Sequence, residues 1–173
     1  MPDVFANITA ASPEAIDTIA RVLELRAALP QQQQMLRAYL QDIEFPPASR
    51  VLEVGCGTGA VARVLATWPN VAEVVGVDPS PLLLERGRSL ASGVPHLTFE
   101  TGDGRALGFK DETFDVVVLH TLLTHVPEAE AVLAQAHRVL RPGGHYLPGN
   151  CRRRIAPARW AREVRTCFFA RRS

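Results

Sequence analysis

At 173 residues the chain has room for one domain with a real hydrophobic core, and not for two full ones. Apolar residues make up 47% and charged ones 21%, which excludes a disordered chain, a collagen-like repeat and a disulfide scaffold. The net charge of +1 hides an asymmetry: residues 1–150 hold 11 Lys+Arg against 17 Asp+Glu, whereas residues 151–173 hold 8 Arg against one Glu.

Residues 13–29 read as a helix. Ser12 can cap it, Pro13 suits its first position, and Ile16, Ile19, Ala20, Leu23 and Ala27 recur at helical spacing. Pro30 stops that helix and opens a second, over 31–43, where Met35, Leu36, Tyr39, Leu40 and Ile43 form one apolar stripe. Residues 1–47 are thus expected to form a helical lid over a following domain at 48–147, with Arg26 or Gln34 in reach of a ligand. Beyond Phe45-Pro46-Pro47 the chain alternates. Short apolar strands are predicted at Arg50–Val54, Glu73–Val77, Leu97–Glu100 and Phe114–Leu119. Helices are predicted at Thr58–Thr67, Pro81–Ala91 and Pro127–Leu140, the last closed by Pro142-Gly143-Gly144. Strands apolar on both faces and separated by helices pair in parallel, so the fold class is α/β: a doubly wound, mostly parallel sheet in three layers. Its ligand site belongs beyond the C-terminal ends of the strands.

No stretch approaches a membrane span, and Met1-Pro2-Asp3-Val4 lacks the basic start and apolar run of a signal peptide. Cys56, Cys151 and Cys167 are odd in number, widely spaced and in no ligand pattern, so no metal site is expected and a reducing cytoplasm is the simplest home.

The chemistry begins where the first strand meets Gly55-Cys56-Gly57-Thr58-Gly59. Alternate glycines let backbone turn tightly and approach a ligand with no Cβ in the way. Two ligands fit this loop. Gly55, Gly57 and Ala60 satisfy the dinucleotide pattern G-x-G-x-x-G/A. Glu53, two residues before the first glycine, would repel a pyrophosphate, and Gly59 is a glycine that pattern does not require. A sulfonium amino acid, with an ammonium group and no phosphate, suits an acidic neighbour better. Asp78 ends the second strand and can accept from both hydroxyls of a ribose. Ser80 is itself a good helix cap, which frees Asp78 from that task. Asp103, in Gly102-Asp103-Gly104 after the third strand, can accept from an exocyclic amine.

This constellation resembles the class I S-adenosylmethionine-dependent methyltransferases, particularly the small-molecule group that includes the ubiquinone and menaquinone C-methyltransferases. The resemblance spans residues 50–145. It rests on Glu53 through Gly59, Val77-Asp78-Pro79-Ser80, Gly102-Asp103, Phe114-Asp115-Val116-Val117-Val118 and Leu140-Arg141-Pro142-Gly143-Gly144. It implies a Rossmann-like fold and S-adenosyl-L-methionine as cofactor. Glu53, Gly55, Cys56, Gly57, Thr58 and Gly59 would surround the methionine moiety, Asp78 and Pro79 the ribose, and Asp103 and Gly104 the adenine. Leu119 and His120 would lie near the reactive methyl. The implied partner is a small-molecule methyl acceptor. No Asn-Pro-Pro-Tyr segment follows the fourth strand and no Pro-Cys nucleophile is present, so a nucleic-acid substrate is not expected. His120 and His125 are the candidates for a base, where the acceptor needs one, against a passive packing role. His96, His137 and His145 read as structural.

The pattern breaks after Gly144. Pro148 and Gly149 are expected to interrupt a fifth strand, and an arginine-rich tail follows at 148–173. A shifted reading frame or truncation accounts for such a break; a natural short variant and a basic interaction tail are the other readings. On the first, acceptor-site segments are missing and little turnover is expected. The rival functions are an NAD(P)-dependent oxidoreductase and a non-catalytic cofactor-binding fragment.

Overall fold

The computed structural model describes residues 5–148. Strands with apolar side chains on both faces need cover on both faces, and the chain supplies it by crossing over after each strand. The strands are β1 (Ser49–Val54), β2 (Val71–Asp78), β3 (Leu97–Thr101), β4 (Phe114–Leu119) and β5 (Leu140–Pro148). They form one sheet in the order β3-β2-β1-β4-β5, parallel at every junction. The strand order reverses between β1 and β4, which opens a crevice beyond their C-terminal ends.

The helices are α1 (Pro13–Ala28), α2 (Pro30–Gln41), α3 (Ala60–Leu65), α4 (Pro81–Leu90) and α5 (Ala129–Val139). Alternate residues of each strand divide between two cores. Leu52, Val54, Val75, Val77 and Val117 pack with Val132, Leu133, Ala136 and Val139 of α5. Val51, Val74, Val116 and Val118 pack on the opposite face with Leu36 and Leu40 of α2, Ala62 and Leu65 of α3, and Leu84 of α4. A third cluster joins Ile16, Ile19 and Ala20 of α1 to Leu83 of α4. The apolar stripe of α2 is therefore part of the main core as well as cover for the crevice. Leu40 is 0% exposed.

Most boundaries shift by one or two residues from the sequence reading, and three differences have a clear physical cause. The helix expected from Thr58 starts at Ala60, because Gly59 is left-handed at φ 72° and stands outside it. The helix expected over 127–140 ends at Val139, where Leu140 turns extended and opens β5 directly. The third concerns β5 itself, which forms in spite of Pro148. It pairs with β4 at Phe114↔Leu140 and, after a register shift, from Val116↔His145 through Leu119↔Pro148. Among the described residues β5 pairs on one side only, and a proline ending a strand costs at most one ladder bond. Gly144 brings the two strands together: a Cβ there would lie 2.8 Å from the Asp115 carbonyl oxygen. Arg141 adds an ion pair to Asp115 at 2.7 Å. Gly149, Cys151, Cys167 and the arginine-rich tail lie outside the described residues.

Candidate functional site

The loop after β1 hangs on the end of β2. The backbone N–H groups of Gly55 and Cys56 both donate to the Val77 carbonyl (2.7 and 3.0 Å), and that of Gly57 donates to Asp78 Oδ2 at 2.8 Å. Gly55, Gly57 and Gly59 all have positive φ, between 55 and 72°. At Gly55 there is a second requirement, since a Cβ would lie 2.7 Å from Cδ1 of Leu122.

Asp78 is 6% exposed. Its Oδ1 accepts from the Ser80 N–H at 2.9 Å, while Ser80 Oγ caps α4 through the Leu83 N–H. The Asp78 carboxylate has about four acceptor positions. Two are taken by backbone N–H groups, and two remain for a ligand. Burial raises its pKa, and the Ser80 and Gly57 N–H groups oppose that.

Glu53 is 2% exposed, and its Oε2 is buried with no hydrogen-bond partner. Burial pushes its pKa up to about 8, against a smaller lowering by the Ala62 backbone, with Asp78 adding to the rise. An orphaned buried carboxyl is costly, and it needs a reason. Burial likewise raises the Cys56 thiol, so that thiol is no nucleophile.

Glu53, Gly55, Cys56, Gly57, Thr58, Asp78 and Pro79 line one wall of a cavity of about 550 Å³. His120 and His125, from the segment after β4, line the next. The His120 Nδ1 is buried and unpartnered, and burial, then the Arg26 charge, lowers its pKa. Both effects favour the neutral imidazole. Thr121 beside it is left-handed at φ 60°, a strained conformation for a β-branched residue. The His125 ring centroid lies 4.7 Å from that of Phe5.

Four expected site residues lie outside this wall. Leu119 is 1% exposed within the core, and Gly59 is where a side chain would overlap the Phe99 ring. Gly104 lets its loop approach β1, since a Cβ would meet Val54 Cγ1 at 2.8 Å. Asp103 is held by Arg105: the Arg105 backbone N–H and Nε reach Oδ1, and Nε and a terminal nitrogen reach Oδ2, at 2.7–3.0 Å. Arg105 also reaches Glu128 at 2.9 Å.

The third wall is α1 and α2. Arg26 lines the cavity; Gln34 does not, and Gln33 and Arg37 do instead. Gln33 and Arg37 stand one turn apart on α2, exposed beside the buried Leu36. Glu24, absent from the sequence reading, fastens α1 to the glycine loop. It accepts from Thr58 Oγ1 and pairs with Arg63 at 2.6 Å, while Arg63 also donates to the Thr58 carbonyl at 2.8 Å. These partners are 34 and 39 residues away, so no local pattern announces them.

Sheet order, glycine loop and the two buried acids define a class, and comparison with known proteins agrees. Residues 52–147 match the family model described as a methyltransferase domain, and the chain belongs to the class I S-adenosylmethionine-dependent methyltransferases. It is 32% identical over 138 residues to the demethylmenaquinone methyltransferase of Symbiobacterium thermophilum, covering 77% of this chain and 53% of that one. It is 38% identical over 98 residues to a sterol 24-C-methyltransferase of Aspergillus fumigatus, covering 55% of this chain and 26% of that one. The YcgJ protein of Bacillus subtilis superposes with a TM-score of 0.62 at 28% identity, over 66% of this chain and 49% of that one. The chain thus spans about half, or less, of the length of these relatives. The dinucleotide reading of Gly55, Gly57 and Ala60 is not favoured.

Proposed function

We propose that this cavity binds S-adenosyl-L-methionine and that the chain passes its methyl group to a small-molecule acceptor. The observation that carries this reading is Glu53 Oε2, buried, unpartnered and in the cavity wall. An ammonium group is what such a carboxyl lacks, and a pyrophosphate is what it would repel. Asp78 fits the ribose with its two open acceptor positions. Arg26 fits the cofactor carboxylate. Asp103 and Gly104 would border the adenine, with Asp103 first releasing part of its hold on Arg105; Gly59 and Leu119 act by shaping the loop and the strand end.

The cofactor supplies an electrophilic methyl on a cationic sulfur. The protein's task is alignment and exclusion of water, which α1 and α2 perform by roofing the crevice. Where an acceptor must lose a proton, His120 and His125 are the histidines of the wall placed to take it. The named relatives act on a demethylmenaquinone and a sterol, both small molecules, and Phe5, Ile8, Leu122 and Val126 give this cavity an apolar side of the same kind. Calorimetric titration tests the reading. S-adenosylhomocysteine should bind, NAD should not, and Glu53→Gln should weaken the first without creating the second. Binding of NAD by Glu53→Gln would overturn the proposal in favour of an oxidoreductase.

A further inference from the structure

Among the described residues six charged side chains line the cavity: Glu24, Glu53, Asp78, Arg26, Arg37 and Arg63. Glu24 and Arg63 neutralise one another at 2.6 Å. Glu53 and Asp78 stand on the sheet side. Arg26 and Arg37 stand on the helical side, and neither guanidinium makes an ion pair or hydrogen bond with a described residue. The charge of Arg26 is felt at His120, where after burial it disfavours a proton. The cofactor reading above brings an ammonium to Glu53, a ribose to Asp78, one carboxylate and a cationic sulfur. That carboxylate answers one arginine. The second arginine, an exposed side chain of the cavity lining, then has no anion from the described residues or from the cofactor to answer it.

We infer that the acceptor is an organic acid: a small molecule with an apolar body against Phe5, Ile8, Leu122 and Val126 and an anionic group held by Arg37. This rests on the methyltransferase reading and extends it to the class of acceptor. Arg37 is the specificity residue. It stands one turn after Gln33 on α2, and Gln33 shares the cavity wall, so a planar bidentate anion has a guanidinium fork and an amide donor in reach of one place. An uncharged analogue of the same shape leaves Arg37 unpaired and loses that contact.

The test uses the full chain loaded with S-adenosylhomocysteine, titrated with 3-phenylpropionate and with its amide, 3-phenylpropionamide, as matched probes. The acid should bind at least about tenfold more tightly than the amide, as a charge-assisted pair requires. Arg37→Gln should abolish the preference and Arg37→Lys should keep part of it. Both should hold S-adenosylhomocysteine within about twofold of wild type, because Arg37 is not a cofactor contact. Equal binding of acid and amide overturns the inference, as does a preference that survives Arg37→Gln. Competition between the acid and S-adenosylhomocysteine also overturns it, since the acid would then occupy the place of the cofactor carboxylate. If S-adenosylhomocysteine fails to bind at all, the methyltransferase reading falls separately, and the same pair on the unloaded protein and on Arg37→Gln still decides whether Arg37 selects an anion.

Discussion

An aspartate ends β2 and another follows β3 by two residues, and the two acids are in opposite states. Asp78 is buried, with two backbone donors and two open acceptor positions. Asp103 has a side chain 44% exposed, its oxygens are filled by Arg105, and its pKa is lowered, first by that side-chain contact. A sequence motif reports that a carboxylate is present. Whether it is available to a ligand depends on what the fold has already bonded to it, and that is a count of acceptor positions. Unsatisfied capacity sits in the cavity wall beside the glycine loop, and satisfied capacity sits outside that wall.

The largest effect should follow from Asp78→Ala. It removes charge-assisted bonds to two hydroxyls and also strips the Gly57 and Ser80 N–H groups of their acceptor. S-adenosylhomocysteine affinity should fall by about 2–3 kcal/mol or more, and the melting temperature should drop as well. Calorimetry and a thermal melt read the two parts. A folded variant with unchanged affinity would break the contrast between the two aspartates.

Glu53→Gln should come next, with a loss of about 1.5–3 kcal/mol of cofactor affinity and little loss of fold. Its pH dependence sharpens the test. With a pKa of about 8, Glu53 is mostly protonated at pH 7 in the free protein, and an arriving ammonium must drive that proton off. Titrations in buffers of different ionisation enthalpy should therefore show proton release on binding at pH 7, absent in Glu53→Gln, and affinity should rise from pH 6 to 8. Stability of the free protein has the opposite sign. A carboxyl with a raised pKa binds more protons folded than unfolded, so stability should fall as pH climbs from the ordinary carboxylate range through about 8. In Glu53→Gln that slope should flatten.

Glu24→Gln should produce a smaller loss, about 1 kcal/mol in stability, because it weakens the half-buried link from α1 to Thr58 and Arg63. Faster hydrogen exchange in α1 than in α2 is the expected readout, since α2 is held by the core through Leu36 and Leu40. Equal exchange in the two helices would mean that Glu24 does not fasten the roof.

The legible part of this site was the part set by backbone. Gly55, Gly57 and Gly59 need positive φ, and Asp78 follows a strand whose helix already has Ser80 for a cap, so local rules reach the answer. Glu53 was legible from charge logic, although its lack of a partner was not. Arg37, Gln33 and the Glu24–Arg63 pair were illegible because a helix's polar face shows no ligand until the roof is placed on the sheet. Pro148 misled for a related reason: the rule against proline concerns central strands, and only the sheet order shows that β5 has one paired neighbour among the described residues. Asp103 was read by its place after a strand, while the arginine that saturates it stood two residues on.

That arginine gives the smallest and most discriminating prediction. If the adenine amine is to reach Asp103, it must displace a donor that Arg105 now supplies, and Arg105 has Glu128 as a second partner to retain it. The side chains at this corner are about half exposed, so water and salt screen the ion pairs and their rupture should hardly move the melting temperature. Arg105→Ala removes the side-chain donors, frees Oδ2 and leaves the backbone N–H of residue 105 on Oδ1, and S-adenosylhomocysteine should then bind about two- to fivefold more tightly than to wild type. Asp103→Asn should shift affinity the other way by a similar factor, and the double variant should resemble Asp103→Asn, since Arg105 acts only through the carboxylate it occupies. Unchanged affinity in both single variants would assign Asp103 to holding its own turn, and would leave adenine recognition to the backbone of residues 102–104.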